Sequence, residues 1–283
     1  MVIGKGVNKM ISISSQSKMF NAADIAPVTA DEAHRLLQTA LDRFLVLMES
    51  LNPQDWDKPT ACAEWSVRDI LAHQAGGYAS GTSYKEILRQ ASHLPKRGQL
   101  IEDAINAFQL KERAGKSPSE LINELKQVGP IAAKKWAYQF QLAKLISIPH
   151  PIAGSLSFRY LMWIIHSRDT WMHRLDICRA TGKTFEQTRD HDGRIAELVM
   201  LDVANLLKKK YDGPALIFDL TGIAGGTWKI GNGEAAATIR MDMLEFNIFA
   251  SGRYTYEEAR PLATITGDVR PAEEALKKIL VLY

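Results

Sequence analysis

The stretch from Phe158 to Gly182, FRYLMWIIHSRDTWMHRLDICRATG, constrains the chain more than any other. Apolar residues recur there at three- and four-residue spacing and Gly182 supplies a stop, the pattern of one long helix. His166, Asp169, His173 and Asp176 stand at i, i+3, i+7 and i+10, so at about 100° per residue they share one narrow arc. That arc is no solvent face: Met162, Ile165 and Met172 flank it on one side, Trp163 and Ile177 on the other. Ionisable groups enclosed in this way are costly unless they pair with one another or bind a cation. Asp169 and His173, one turn apart, can aim a carboxylate and an imidazole at one point, as helical metal sites do. A hydrogen-bonded His–Asp pair without an ion satisfies the same pattern, and the helix alone does not separate the two.

The 283 residues suffice for one large or two ordinary domains. Lys and Arg number 35 against 32 Asp and Glu, a balance that gives no electrostatic reason to expect nucleic acid or an anionic membrane as partner. Cys62 and Cys178 are the only cysteines, too few for a disulfide framework or a cysteine-rich zinc site. A reducing, cytoplasmic setting fits them. No apolar run approaches the roughly 20 residues of a membrane span. Residues 1–27 are polar and mixed, without the apolar centre of a signal peptide; they are expected to form a poorly ordered extension, with Met19 as an alternative start.

Along the chain, Thr29 and Glu32 stand at capping-box spacing before a helix running from Ala30 to about Leu51. Its buried stripe is Leu36, Leu37, Ala40, Phe44 and Leu47. Ser66 and Asp69 have the same spacing, so a second helix should begin near Val67 and carry His73 about two turns in. A lone histidine on such a helix is more often a satisfied core residue than a ligand. Gly76 and Gly77 then permit a close backbone approach or a bend. Ser92–Gly98 reads as a loop with a solvated His93, followed by a helix from about Leu100 to Ala114. Ser117-Pro118-Ser119-Glu120 opens another, with a break or kink at Gly129-Pro130. Ile146–Gly154 reads as a loop, and nothing in the spacing makes its His150 special, nor His34 or His191. Four main helices on short connections suit an antiparallel bundle. Beyond Gly182 a helix over Ala196–Leu207 precedes glycine-punctuated alternation. ALIFDLTG, GGTWKIGNG and AATIRMD read as strands with hairpin turns at Ile223–Gly226 and Gly231–Gly233. A short helix over Leu244–Ser251, a strand over Leu262–Thr266 and a final helix from Pro271 through Leu282 complete a small α+β unit.

Two segments together carry a resemblance. W-x-x-P-T-x-C-x-x-W-S-V-R-D-x-x-A-H, from Trp56 to His73, and the run Asp169, Trp171, His173, Arg174, Leu175, Asp176, Ile177 resemble the mycothiol-dependent maleylpyruvate isomerase family. The resemblance extends from about Thr29 to the end, and WKIGNGEAAATIRMD, SGR and ITGD resemble its second domain. It implies a DinB-like four-helix bundle over 28–185, followed by a small α+β domain resembling sterol carrier protein 2 over 186–283. It also implies a divalent metal, usually zinc, held by His73, Asp169 and His173. These residue types suit zinc, with nickel, iron or manganese as alternatives. The family usually has Glu where this chain has Asp169, shorter by one methylene. Three protein ligands leave a position open, as in catalytic zinc sites. His166 and Asp176 then become groups that orient the ligands, or structural hydrogen-bonding residues.

By the same resemblance, the metal holds mycothiol or another low-molecular-weight thiol as thiolate, which adds to a small carboxylate substrate and leaves again, giving an isomerase or thiol transferase. Arg253 matches the position of a carboxylate-gripping cation; an Arg favouring a helix C-terminus reads equally well. Neither Cys62, in the loop before the second helix, nor Cys178, off the stripe, is expected to be a nucleophile. Two other functions remain open: a hydrolase using zinc-bound water, and a non-enzymatic binder of lipid or another apolar ligand. The sequence gives no oligomeric state.

Overall fold

The computed structural model describes residues 19–62, 65–93, 95, 100–152 and 154–283. Thr29 Oγ1 accepts from the Glu32 amide to start α1 (Ala30–Glu49). The Ser66–Asp69 capping box starts α2 (Val67–Ser80), which runs straight through Gly76 and Gly77. A helix that the residue pattern did not announce, α3 (Tyr84–Ala91), leads to α4 (Ile101–Arg113). His93, expected in solvent, stacks on Phe108 with ring centroids 3.6 Å apart; much of its loop, including 94 and 96–98, lies outside the described residues.

Of the break or kink expected at Gly129-Pro130, the break does not occur: α5 (Pro118–Tyr138) continues past it. Pro130 lies on the exposed side, where water can take the carbonyl it frees. Gly129 faces α1 so closely that a Cβ would stand 2.5 Å from Leu41 Cδ2. The segment read as a loop around Pro149 and Pro151 is an antiparallel hairpin of β2 (Ser147–His150) and β3 (Gly154–Ser157). It feeds directly into α6, which comprises Phe158–Tyr160, a π turn Leu161–Ile165 and His166–Thr181, closed by Gly182 at φ 72°.

Helix α6 serves two cores. Met162, Ile177 and Cys178 pack with Leu37, Phe44, Leu71 and Leu125 inside the bundle. Trp171, Met172 and Leu175 instead join the core beneath the sheet, with Val199, Phe218, Ile239 and Phe246. The sheet half follows as α7 (Arg194–Lys210), β4 (Ala215–Thr221), β5 (Gly226–Ile230), β6 (Ala235–Asp242), α8 (Met243–Ala250), the short α9 (Tyr256–Ala259), β7 (Thr264–Gly267) and α10 (Val269–Leu276). With Met19–Asn21 as β1, its strand order is β1-β5-β4-β6-β7.

The β4–β5 hairpin forms as expected, but Gly231–Gly233 is no hairpin turn: β6 lies parallel to β4, on the side away from β5. The connection must therefore pass over the start of β4. Gly231 permits this, with φ 94° and an added Cβ only 2.9 Å from Ala215 Cα. The last helix also stops early. Ile279 and Val281 are buried in an extended tail, where the Val281 amide donates to Ala250 O. Part of the expected extension is structured too: β1 (Met19–Asn21) pairs in parallel with β5, and Ala22 is fully buried. Residues 1–18 lie outside the described residues.

A buried ion cluster fastens the two halves. Asp192, wholly enclosed, accepts from Arg43 Nη1 of α1 at 2.5 Å, and from Arg174 Nη2 and Trp171 Nε1 of α6 at 2.8 Å each. No helix among the described residues is long and apolar enough to cross a membrane.

Candidate metal centre

Helices α2 and α6 cross so that three residues expected to act together do meet. His73 Nε2 lies 3.3 Å from Asp169 Oδ2, and His173 Nε2 lies 3.2 Å from Asp169 Oδ1. One donor atom from each falls within 4.8 Å of the others. The geometry depends on what holds the outward-facing nitrogens.

His73 Nδ1 meets Gln109 Oε1 of α4 at 3.0 Å. A relay of amides fixes that Gln109 orientation. Its Nε2 donates to Gln90 Oε1 at 2.8 Å, and Gln90 Nε2 donates to Gly76 O at 3.0 Å. Each amide is set by the next, and the series ends on a backbone carbonyl that can only accept. His73 therefore presents a proton on Nδ1 to Gln109 and faces Asp169 with Nε2. Gly76 is what lets α4 come this close, since a Cβ there would stand 2.6 Å from Gln109 Cγ.

His173 is held in the same way. Its Nδ1 lies 3.2 Å from Asp176 Oδ2, the carboxylate–histidine arrangement that orients a metal ligand. Asp176 is in turn gripped by Arg253, whose Nε and Nη2 donate to its two oxygens at 2.8 and 2.7 Å. Arg253 stands just after α8, where Gly252 reverses the chain at φ 80°. Its side chain is thus not an exposed helix-end cation but reaches the cluster from the sheet half. Gln74 Nε2 donates to Asp169 Oδ2 at 2.6 Å, while Gln74 Oε1 accepts from Thr170 Oγ1.

Two imidazole lone pairs aimed at one carboxylate repel it, unless a proton or a metal ion sits between them. Burial would raise the Asp169 carboxyl, but the neighbouring His173 and His73 hold it well below the usual range. Burial would likewise lower His173, and Asp169 outweighs it, so the imidazole is pushed well above its ordinary value. Both directions say that the cluster calls for positive charge. Two imidazole nitrogens and a carboxylate oxygen form a donor set that fits zinc, with nickel as an alternative.

A second set, Cys62, His173 and Asp176, shares His173 through its other nitrogen. Cys62 Sγ lies 3.7 Å from His173 Nδ1, 3.5 Å from Asp176 Oδ2 and 3.3 Å from Arg253 Nη2. The Arg253 guanidinium already supplies a cation on that side, so a divalent ion is better accommodated on the His73 side. Sequence reasoning missed Cys62 as part of the site, although the W-x-x-P-T-x-C-x-x-W stretch held the signal. Pro59 and Ser66 bridge antiparallel, and Thr60 Oγ1 bonds Trp65 O at 2.9 Å. That fold-back brings the Trp65 ring to 5.0 Å from the His73 ring and 5.9 Å from the His173 ring. Gln74, Gln90 and Gln109 were missed as well, having no spacing signature. His166 stacks on Trp136, centroids 3.9 Å apart and planes 6° apart. Burial lowers its imidazole to about 4, so it is neutral.

The role of Gly76 is directly testable. Gly76→Ala should displace Gln109 and weaken zinc retention by roughly 10–100-fold, the usual effect of losing an outer-shell partner. Competition against a chromophoric chelator measures it, and unchanged affinity would mean that the amide relay does not position His73.

A helical bundle that presents a His–Asp–His cluster and continues into a mixed sheet defines a class of bundle proteins with a buried imidazole–carboxylate donor set. Residues 37–178 match the family model for the mycothiol maleylpyruvate isomerase N-terminal domain. The chain belongs to that family. Among solved structures it is similar to the mycothiol-dependent maleylpyruvate isomerase, at 14% identity and TM-score 0.54. It is also similar to a histidine-to-alanine mutant of the mycothiol-dependent maleylpyruvate isomerase, at 13% identity and TM-score 0.55. Each likeness covers 89% of this chain and 98% of the other, and at these identities it is a likeness of fold. No curated protein matches the sequence significantly.

Proposed function

We propose that the chain is a metal- and thiol-dependent enzyme, an isomerase or thiol transferase, in which His73, Asp169 and His173 hold one divalent ion, zinc or alternatively nickel. The observation that carries this is the outward tethering of both imidazoles, which leaves two Nε2 atoms and a carboxylate directed at one point. A divalent ion there supplies a Lewis acid that keeps a bound thiol, mycothiol or another of low molecular weight, in its thiolate form at neutral pH. The remaining work falls to the chain. Gln109 and Asp176 fix which ring nitrogen carries the proton, and Gln74 orients Asp169. Despite its burial, the Asp176 carboxyl is held below the ordinary range by the His173 hydrogen bond and the Arg253 guanidinium together. Trp65 shields the two imidazoles from water.

On this reading a thiol held there would supply a nucleophile for a conjugated carbon–carbon double bond of a small molecule, the electron pair passing to the conjugated carbonyl. In the isomerase form that pair would return as the thiol leaves after bond rotation. Thiolate both adds and leaves, whereas zinc-bound hydroxide would hydrate or hydrolyse. Residues 28–185 then form the metal-binding bundle, and 186–283 the sterol-carrier-like unit that supplies Arg253.

Cobalt substitution tests the thiol's place. Adding a low-molecular-weight thiol should produce a sulfur-to-metal charge-transfer band, and His173→Ala should abolish it. A cobalt spectrum that no thiol perturbs, together with ester cleavage in the absence of thiol, would favour the hydrolase instead.

A further inference from the structure

Beside the ligand cluster, α2, α4 and α6 border a cavity of about 240 Å³, with His73 and Asp169 in its wall. The rest of the wall is dominated by Ile105, Ile148, Leu161, Met162 and Ile165, with the flat Trp136–His166 stack among them. The charged groups in this wall are acidic. Asp169 is one, and Glu102, with an oxygen 3.0 Å from His150 Nε2, is the other. No lysine or arginine is among its described lining residues. Arg253, which reaches the cluster through Asp176, is outside the wall and has two of its nitrogens committed to that carboxylate. Phe158 and the π-turn residues Leu161, Met162 and Ile165 of α6 contribute to this wall.

From these observations we infer that the molecule this cavity receives, the acceptor of the thiol, is a neutral and mainly apolar compound of one or two rings, not a dicarboxylate. An ion on the ligands can take one carboxylate; a second would be pressed against isoleucine side chains and Glu102, with no cation to replace its hydration. An apolar cavity of about 150 Å³ holds benzene, so about 240 Å³ has room for a substituted benzene or a fused pair of rings. The neutral His166 and the apolar walls favour such a ring by dispersion and burial without asking it to carry charge. That the occupant is the acceptor rests on the proposed metal–thiol function; its chemical class rests on the cavity alone.

The experiment separates the two. The full-length chain, metal-free and zinc-loaded, is titrated with 1-naphthol by its intrinsic fluorescence, and with maleate by calorimetry. In both forms 1-naphthol should bind at least 100-fold tighter than maleate. Ile105→Trp, and independently Leu161→Trp, should weaken 1-naphthol at least tenfold, with circular dichroism confirming that each variant is folded. In cobalt-loaded protein 1-naphthol should also shift the visible spectrum, because the cavity borders His73 and Asp169. Maleate binding as tightly as 1-naphthol in the zinc-loaded form overturns the proposal, as does 1-naphthol binding that neither folded tryptophan variant weakens. If the chain takes up no ion at all, the metal–thiol function fails, and the metal-free titrations still decide the ligand class.

Discussion

His173→Ala is expected to leave the protein unable to retain a metal ion. Zinc-reconstituted protein should hold about one ion per chain after exhaustive dialysis, and the variant none, by elemental analysis. The imidazole links two carboxylates, Asp169 through Nε2 and Asp176 through Nδ1, each at 3.2 Å. Its loss removes a ligand and also the group that separates two negative charges. His73→Ala should have the same effect. Asp176→Asn should cost much less, roughly 10–100-fold in affinity, because the amide oxygen can still accept from Nδ1. The ordering of these variants is the discriminating result. Equal zinc content in wild type and in both histidine variants would reduce the cluster to a hydrogen-bonded set with a structural role.

Asp192→Ala should have the largest effect on stability, about 3–5 kcal/mol, read as a lowered midpoint in denaturant unfolding. The side chain is completely buried, and its removal leaves Arg43 and Arg174 facing each other with the Trp171 indole unpaired. A loss below about 1 kcal/mol would show that water enters and replaces the carboxylate. The same group predicts a pH dependence. Burial would raise the Asp192 carboxyl, but the Thr188 amide and Arg174 lower it below its ordinary value. A depressed folded-state value means that the stabilisation is fully present above the unfolded carboxylate value of about 3.9 and is lost as pH falls below it. Wild type should therefore lose stability on acidification through that range, and Asp192→Ala should lose less.

Local chemistry made much of the fold legible. Capping residues Thr29, Ser66 and Ser117 each start a helix within a residue of where the spacing placed it, because a side-chain acceptor and an amide donor decide that boundary alone. Reading failed where tertiary packing overrode local preference. Pro130 did not break α5, and the Ile146–Gly154 prolines did not prevent a hairpin, since Pro149 occupies a short two-stranded edge. Which side of β4 would receive β6 was not encoded in the alternation; it followed from Gly231 passing over Ala215. The site shows the same division. The helical stripe presented Asp169 and His173 as a pair, and the resemblance added His73. Gln109 and Gln90 come from helices separated from α2 by loops, with side chains common on any surface, so only the assembled packing shows that they set His73.

The Arg253 grip on Asp176 makes the two halves thermodynamic partners. Binding free energies couple reciprocally, so whatever the sheet half contributes to placing His173, an ion bound there returns to the contact between the halves. At a thousandfold excess over its dissociation constant, a ligand specific to the folded state adds about 4 kcal/mol. Loading the centre would thus act as a latch, slowing hydrogen exchange at amides around Gly252 that touch no metal ligand. Separating the sheet half from the bundle would release the ion more readily, without altering a single coordinating atom.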